Sequence, residues 1–305
     1  MKTENILKNS ELTRDADMNL WLSPIDPQFN DDMFLYHYTN FETACKILYS
    51  ESLRFSSLSK TNDTVEAKLK IKTKNAADEK TLKDIIEIFE RINKSNIQLL
   101  CFSKDYIDSK IKKSAKTITG DLSGRGFALP RMWAQYGENN NGVCFIINKQ
   151  KFINKINNTK RLKKKVLHND DVKYKSVFIP YIIESDEINE LKDYFSNPDD
   201  KILNYGFFID NEEFIKYNYF NKSTDWIQER EYRFLAYDDS PLFIGNLKEY
   251  LVGIVIGEKM EDVNEKIMHN LSKCVCKEIK KIKFNYNGCK LTNLSFKGFD
   301  VYEEE

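Results

Sequence analysis

Four short motifs carry residues whose types and spacing suit chemistry. In Trp226-Ile227-Gln228-Glu229-Arg230-Glu231-Tyr232-Arg233, two carboxylates stand two residues apart. On a strand Glu229 and Glu231 project to one face, and Arg233 continues it. Like charges so placed repel, which leaves two readings: a solvated Glu–Glu–Arg ladder, or a carboxylate that holds a substrate hydroxyl and stabilises a developing cation. Tyr36-His37-Tyr38-Thr39 sets a ring nitrogen beside a hydroxyl. There His37 is either structural or, with Thr39, a grip for the hydroxyls of a sugar. Leu99-Leu100-Cys101-Phe102-Ser103 is an apolar run that ends in a hydroxyl. Trp133 and Tyr136 stand one helical turn apart, as core packing or as a flat aromatic wall for a planar ring. Asp63 reads as a helix cap with Glu66 as its capping-box partner.

Hydrophobic period and turn chemistry indicate the elements that position these residues. Phe34 to Tyr38 is a short aromatic strand, and Thr39 or Asn40 caps a helix over Phe41 to Ser50. Leu53 to Phe55 is extended, and a further helix is expected from Thr64. Leu82, Ile85, Ile86, Ile88 and Phe89 give a clean helical period, followed by a buried strand from Ile97 to Phe102. Residues 104–129 read as a long polar loop, of a kind often used as a lid or binding loop. Arg131 to Tyr136 makes one or two helical turns, stopped at Gly137, and Val143 to Ile147 returns as a strand. A strand near Val172 to Ile183 and a helix within Asp186 to Tyr194 follow. Trp226 to Tyr237 reads as a strand, Tyr250 to Gly257 as a β-branched strand, and Met260 to Cys274 as a helix. Asn287-Gly288 is a favoured hairpin turn between two last strands. Strands and helices mix without regular βαβ alternation, so the fold class is α+β. Residues 1–32 are a polar lead-in, and 33–305 form one elaborated domain with its insertion near 104–129.

The bulk properties narrow the function classes. Of 305 residues, 41% are hydrophobic and 13% aromatic, enough to fill a core. The 47 basic and 47 acidic residues cancel, so net charge supplies no long-range pull toward nucleic acid or an anionic membrane. A local patch, Lys160 to Lys165, remains, as does a Lys-rich stretch at 110–116. The six cysteines sit mostly inside apolar runs, which fits free thiols in a reducing cytoplasm better than a disulfide framework. Cys274 and Cys276 have no second pair of ligands for zinc, so no metal is expected. No run approaches the roughly 20 apolar residues of a membrane span, and no leader peptide is expected. The expected location is cytoplasmic.

Taken in order, His37-Tyr38-Thr39, Asn62-Asp63-x-x-Glu66, Cys101-Phe102-Ser103, Met132-Trp133-x-x-Tyr136, Gly142-Val143-Cys144 and Trp226-x-x-Glu229-x-Glu231-Tyr232-Arg233 resemble a large bacterial family of unknown function. The resemblance spans roughly residues 34–257; Thr64 stands where that family usually has Pro. The order His-x-Thr, a strand ending Phe-Ser, then Glu-x-Glu also resembles the ADP-ribosyltransferase superfamily. This second resemblance implies a mixed, mostly antiparallel sheet core with flanking helices, and NAD as substrate. By that analogy His37, Tyr38 and Thr39 bind NAD, with Ser103 and Arg233 in the same set. Trp133 or Tyr136 flanks nicotinamide, Glu231 is catalytic, His37 is counted with the catalytic residues as well, and Glu229 orients the acceptor. The implied reaction breaks the nicotinamide glycosidic bond and passes ADP-ribose to a protein or nucleic-acid acceptor, with a stress or phage-defence effector as one setting. Two other classes remain open: a non-catalytic nucleotide- or partner-binding module, and a nucleic-acid-acting protein using the basic segments.

Overall fold

Apolar and aromatic residues at every position of a short run favour strands covered on both faces, and the core strands of this chain are of that kind. The computed structural model describes residues 20–22, 32–63, 65, 68–106, 122, 124–196, 201–276, 278–286 and 288–294. In chain order the elements begin with β1 (Phe34–Thr39), α1 (Phe41–Ser50), β2 (Leu53–Arg54), β3 (Ser56–Ser57), β4 (Ile71–Thr73) and α2 (Glu79–Asn96). Next come β5 (Ile97–Lys104), α3 (Pro130–Gln135), β6 (Val143–Asn148), α4 (Lys149–Asn158), α5 (Lys160–Lys165) and β7 (Val166–Asp171). After β8 (Lys173–Lys175) and β9 (Tyr181–Ile183) stand α6 (Ser185–Phe195), α7 (Lys201–Asp210) and α8 (Glu212–Tyr219). The series closes with β10 (Asn221–Ser223), β11 (Glu231–Tyr237), β12 (Phe243–Ile244), β13 (Leu251–Ile256), α9 (Asp262–Ser272), β14 (Ile279–Asn285) and β15 (Gly288–Thr292). The class is α+β with mostly antiparallel pairing, as expected from the sequence.

The chain divides into two compact units. The first comprises residues 1–53, 102–155 and 245–305. Its strands lie in the order β15-β14-β13-β6-β1 with the end of β5 beyond. All these pairs are antiparallel except β13 with β14. Every residue of β6 and β13 is buried. One face of β1 gives Phe34, Tyr36 and Tyr38 to a cluster with Trp21, Phe127, Met132 and Trp133. Trp21, inside the expected polar lead-in, is fully buried and edge-on to Phe127.

That cluster is closed by residues 124–129. The Arg125 guanidinium donates to Asp105 at 2.7 Å and to the Leu20 carbonyl, while the Gly126 N–H donates to the other Asp105 oxygen at 2.8 Å. Gly126 is required by space: a Cβ there would stand 2.1 Å from the Tyr36 ring. Residues 107–121 and 123, the bulk of the expected insertion, lie outside the described residues.

The second unit comprises residues 54–101 and 156–244. Here β5 lies beside β3 and β11, and β11 pairs antiparallel with β7 across a register shift at Leu235/Ala236. Two parallel pairs, β10 with β8 and β4 with β9, stand apart from that sheet. The apolar stripe of α2 (Leu82, Ile85, Phe89) packs into a core with Phe195, Phe207, Phe214 and Ile215.

Several expectations differ from the structure. The helix expected from Thr64 is not found among the described residues that follow; Ile71–Thr73 is instead a strand. Asp63 does act locally, accepting from the Val65 N–H at 2.8 Å, while Glu66 lies outside the described residues. The strand expected over Val172 to Ile183 is two short strands, because Ser176 to Pro180 interrupts it with a proline-bearing segment.

Candidate functional site

The residues singled out by sequence fall into two sets, one in each unit. In the first unit, strand alternation sorts them. His37 and Thr39, two apart on β1, share one face. Tyr36 pairs with Ser103 and Tyr38 with Cys144, so Tyr38 and Ser103 belong to the other face. His37 is half-buried, its ring 5.6 Å from that of Phe102, which in turn meets Phe152. Thr39 is buried at the strand end. Asn40 caps α1, accepting from the Thr43 N–H at 2.8 Å.

On the opposite face Trp133 is fully enclosed. Its indole N–H donates to the Phe127 carbonyl at 2.7 Å, and its ring lies edge-on to Tyr38 at 5.2 Å. The Tyr38 hydroxyl donates to the Gly126 carbonyl at 2.7 Å. Tyr136, the residue that ends α3, is half-buried against the same cluster. Trp133 is thus packed inside the cluster, while Tyr136 keeps a partly open face. Ser103 is 1% exposed, and its hydroxyl has no hydrogen-bond partner among the described residues.

In the second unit the Trp226–Arg233 motif differs from the expected strand. Ser223 caps a 3₁₀ helix over Thr224–Glu229, its hydroxyl accepting from the Asp225 N–H. Arg230 then takes a left-handed conformation, φ 50°, and β11 starts only at Glu231. A Ser followed by Asp two residues on is a capping signal, and it prevails over the alternating pattern that suggested a strand. Glu229 and Glu231 nevertheless meet, through a residue the motif does not contain. The Lys222 ammonium, on β10, donates to Glu229 Oε2 at 2.7 Å and to Glu231 Oε2 at 2.8 Å.

Arg233, two residues along β11, completes the cluster. Its Nε donates to Glu231 Oε1 at 2.7 Å and its Nη2 to Oε2 at 3.0 Å, while Nη1 donates to the Tyr219 carbonyl. The Glu231 N–H donates to the Tyr174 hydroxyl at 2.9 Å, and Cys101 stands close enough to Glu231 for each to shift the other's ionisation. Glu229, Glu231, Lys222 and Arg233 are 3, 4, 5 and 1% exposed, so the Glu–Glu–Arg ladder is buried rather than solvated. Two carboxylates face two cations, and the formal charges balance.

Burial alone would push the Glu231 carboxyl up, but Arg233 and then Lys222 overcome it and hold it well below the usual carboxylate range. Burial, followed by the Glu231 charge, pushes the Cys101 thiol well above its usual range, and burial pushes the Tyr174 hydroxyl up. Glu231 is therefore an anion at neutral pH, fixed in direction by a bidentate guanidinium. Sequence reading missed Lys222 and Tyr174. Neither stands in a motif, and only the pairing of β10 with β8 sets them near the glutamates.

Among the described residues no cluster of three or more His, Cys, Asp or Glu has the placement to hold a metal ion. Cys274 is exposed and Cys276, past the end of α9, is pushed up to about 12 by burial. On α5, Arg161 and Lys165 both lean toward Asp238, at 3.9 and 3.7 Å. No helix among the described residues is long and apolar enough to cross a membrane.

Residues 132–234 match the model of a family described as "Protein of unknown function (DUF2971)". The matched stretch takes in Trp133, Tyr136, Lys222, Glu229, Glu231 and Arg233, and does not reach His37, Thr39 or Ser103. No curated protein and no solved structure matches the chain.

Proposed function

We propose that the chain is an NAD-consuming, ADP-ribosyltransferase-like enzyme that passes ADP-ribose to a macromolecular acceptor, protein or nucleic acid. The observation that carries this reading is the state of Glu231: a carboxylate stripped of water, held ionised, and aimed by the two-point grip of Arg233. Cleaving the nicotinamide glycosidic bond sends its electron pair to the departing nicotinamide nitrogen and leaves an oxocarbenium-like sugar. An oriented anion stabilises that charge as it develops, and only the ionised form can do so. The acceptor's lone pair then closes on the anomeric carbon, and the acceptor loses a proton.

His37 and Thr39 support the same reading. They share one face of β1, where a ring nitrogen and a hydroxyl are matched to two sugar hydroxyls. Tyr136 keeps the partly open aromatic surface suited to the nicotinamide ring.

A second reading, a non-catalytic nucleotide- or partner-binding module, is favoured by one observation: both Glu231 oxygens already have cationic partners inside the protein. Catalysis by Glu231 requires a sugar hydroxyl to take a place at one of those oxygens. A module requires no such exchange.

The deciding experiment measures nicotinamide release from NAD by the purified chain, with and without cell lysate as acceptor source, beside His37→Ala and Glu231→Gln. Thermal denaturation of each variant separates lost chemistry from lost fold. Release by wild type that falls in both folded variants supports the transferase. No release under any condition, with no NAD binding by calorimetry, leaves the binding module as the function.

A further inference from the structure

Between Tyr174 and Glu231 the phenol accepts and the backbone donates. Glu231 opens β11, and the ladder to β7 begins one residue later, with Tyr232 opposite Asp171. The Glu231 backbone is pinned from outside that ladder. The Val172 N–H donates to its carbonyl at 2.9 Å, and its own N–H donates to the Tyr174 hydroxyl at 2.9 Å. Tyr174 stands on β8 as the register partner of Lys222 on β10, so the two side chains share a face of that pair.

A phenol has one proton to donate and lone pairs to accept with. The bond from the Glu231 N–H uses a lone pair, and among the described residues the Tyr174 proton has no acceptor. Burial raises the Tyr174 pKa, and the Glu231 and Glu229 charges add to the rise, so the proton stays on the oxygen at neutral pH. The bonds of Lys222 and Arg233 to the carboxylates are buried, whereas the Glu231–Tyr174 bond is part-buried and Tyr174 itself half-buried. A hydrogen-bond donor therefore stands beside Glu231 at the more open margin of the cluster.

We propose that Tyr174 is a substrate-contacting residue, donating its phenolic proton to the same sugar hydroxyl that donates to the Glu231 carboxylate. A hydroxyl is both donor and acceptor, and a carboxylate offers it acceptors alone. The phenol supplies the donor. Together the two select a hydroxyl over an ether or a carbonyl, neither of which has a proton for Glu231. The bond from the Glu231 N–H ties the phenol oxygen to the strand that carries the carboxylate, so donor and acceptor keep their spacing. This role rests on the transferase reading.

The experiment measures nicotinamide release by the full chain for wild type, for Tyr174→Phe and for a protein with difluorotyrosine at position 174, with thermal midpoints beside the rates. Tyr174→Phe should lower kcat/KM on the order of 10-fold beyond any loss of folded protein. Ring fluorine makes the phenol more acidic and leaves its oxygen in place, so the Glu231 N–H keeps its acceptor in either ionisation state. The charges that bear on this hydroxyl, Glu231 on β11, Glu229 on the 3₁₀ helix and Lys222 on β10, are the same in both proteins. Release by the fluorinated protein should match wild type at low pH and, as pH rises, fall at a lower pH than wild type does.

A fluorinated profile that superimposes on wild type overturns the proposal, as does wild-type kcat/KM in folded Tyr174→Phe. Where Tyr174→Phe fails to fold, the fluorinated protein, which keeps the bond to the backbone, decides alone. Silence of wild type overturns the transferase reading and this role with it. Release by wild type with neither variant affected overturns this role and leaves the transferase reading standing.

Discussion

Arg233 grips Glu231 at both carboxylate oxygens, Nε to Oε1 at 2.7 Å and Nη2 to Oε2 at 3.0 Å, from two residues along the same strand. Residues i and i+2 of a strand share a face, and a guanidinium returning along it meets the carboxylate as a fork. The pair is buried, so its members cannot be removed singly without leaving an unbalanced charge. Arg233→Leu should destabilise the chain by about 3–5 kcal/mol. Urea unfolding measures this, and a change below about 1 kcal/mol would mean that water reaches the cluster.

Acid should act through the same carboxylate. Glu231 has a folded pKa held below its unfolded value by Arg233 and Lys222. A depressed carboxylate contributes stability above the unfolded pKa, about 4.3, and that contribution is lost as pH falls below it toward the folded value. Wild type should therefore lose stability below about pH 4 more steeply than Glu231→Gln, which has no proton to take up. Equal slopes in urea titrations across that window would place the acid sensitivity elsewhere.

How far this arrangement could be read from sequence depends on the range of the forces involved. β1, α1, β6 and β13 were legible because each carries a continuous or periodic apolar run, and Asn40 marks its helix start. The Glu231–Arg233 contact was legible for the same local reason. The place of Glu229 was not. Period-2 alternation concealed the Ser223 cap, and a left-handed Arg230 leaves no compositional trace. Lys222 and Tyr174 escaped because their contacts depend on a parallel pairing between segments about 50 residues apart in sequence, which carries no local signal. Burial of the cluster was equally hidden, since Glu, Lys and Arg are ordinarily surface residues.

His37 and Tyr38 are neighbours in sequence and serve opposite faces of β1. Tyr38→Phe removes the hydroxyl that donates to Gly126, at about 1 kcal/mol of stability. His37→Ala acts on the face shared with Thr39. If that face grips the sugar, nicotinamide release should fall further in His37→Ala than in Tyr38→Phe. Thermal midpoints measured beside the rates correct for any loss of fold. The reverse order of rates would move NAD to the Trp133 face.

Gly126 tests whether the 124–129 segment holds its place by close packing. A methyl group at this position would overlap the Tyr36 ring, and the neighbouring Asp105–Arg125 pair fixes the backbone against withdrawal. Gly126→Ala should cost about 1–3 kcal/mol, as overpacking does in a filled core. Combining it with Tyr36→Leu, which removes the ring, should return part of that loss, because residues in contact couple. Additive losses in thermal denaturation would show that Tyr36 is not the obstacle.

An ADP-ribosyltransferase acting on a macromolecule inside its own host would be harmful when produced in excess, which gives the effector setting a cellular readout. Induced expression of wild type should arrest growth, and Glu231→Gln should not, at matched levels of soluble protein. Matching is essential, because Glu231→Gln also removes charge from a buried cluster and lowers the folded fraction. His37→Ala supplies the independent comparison, since it leaves that cluster intact. Arrest by wild type with growth restored in both variants supports a toxic activity that needs both residues. Growth unaffected by wild type at high soluble yield counts against the effector role, and arrest by all three proteins assigns the harm to expression rather than to chemistry.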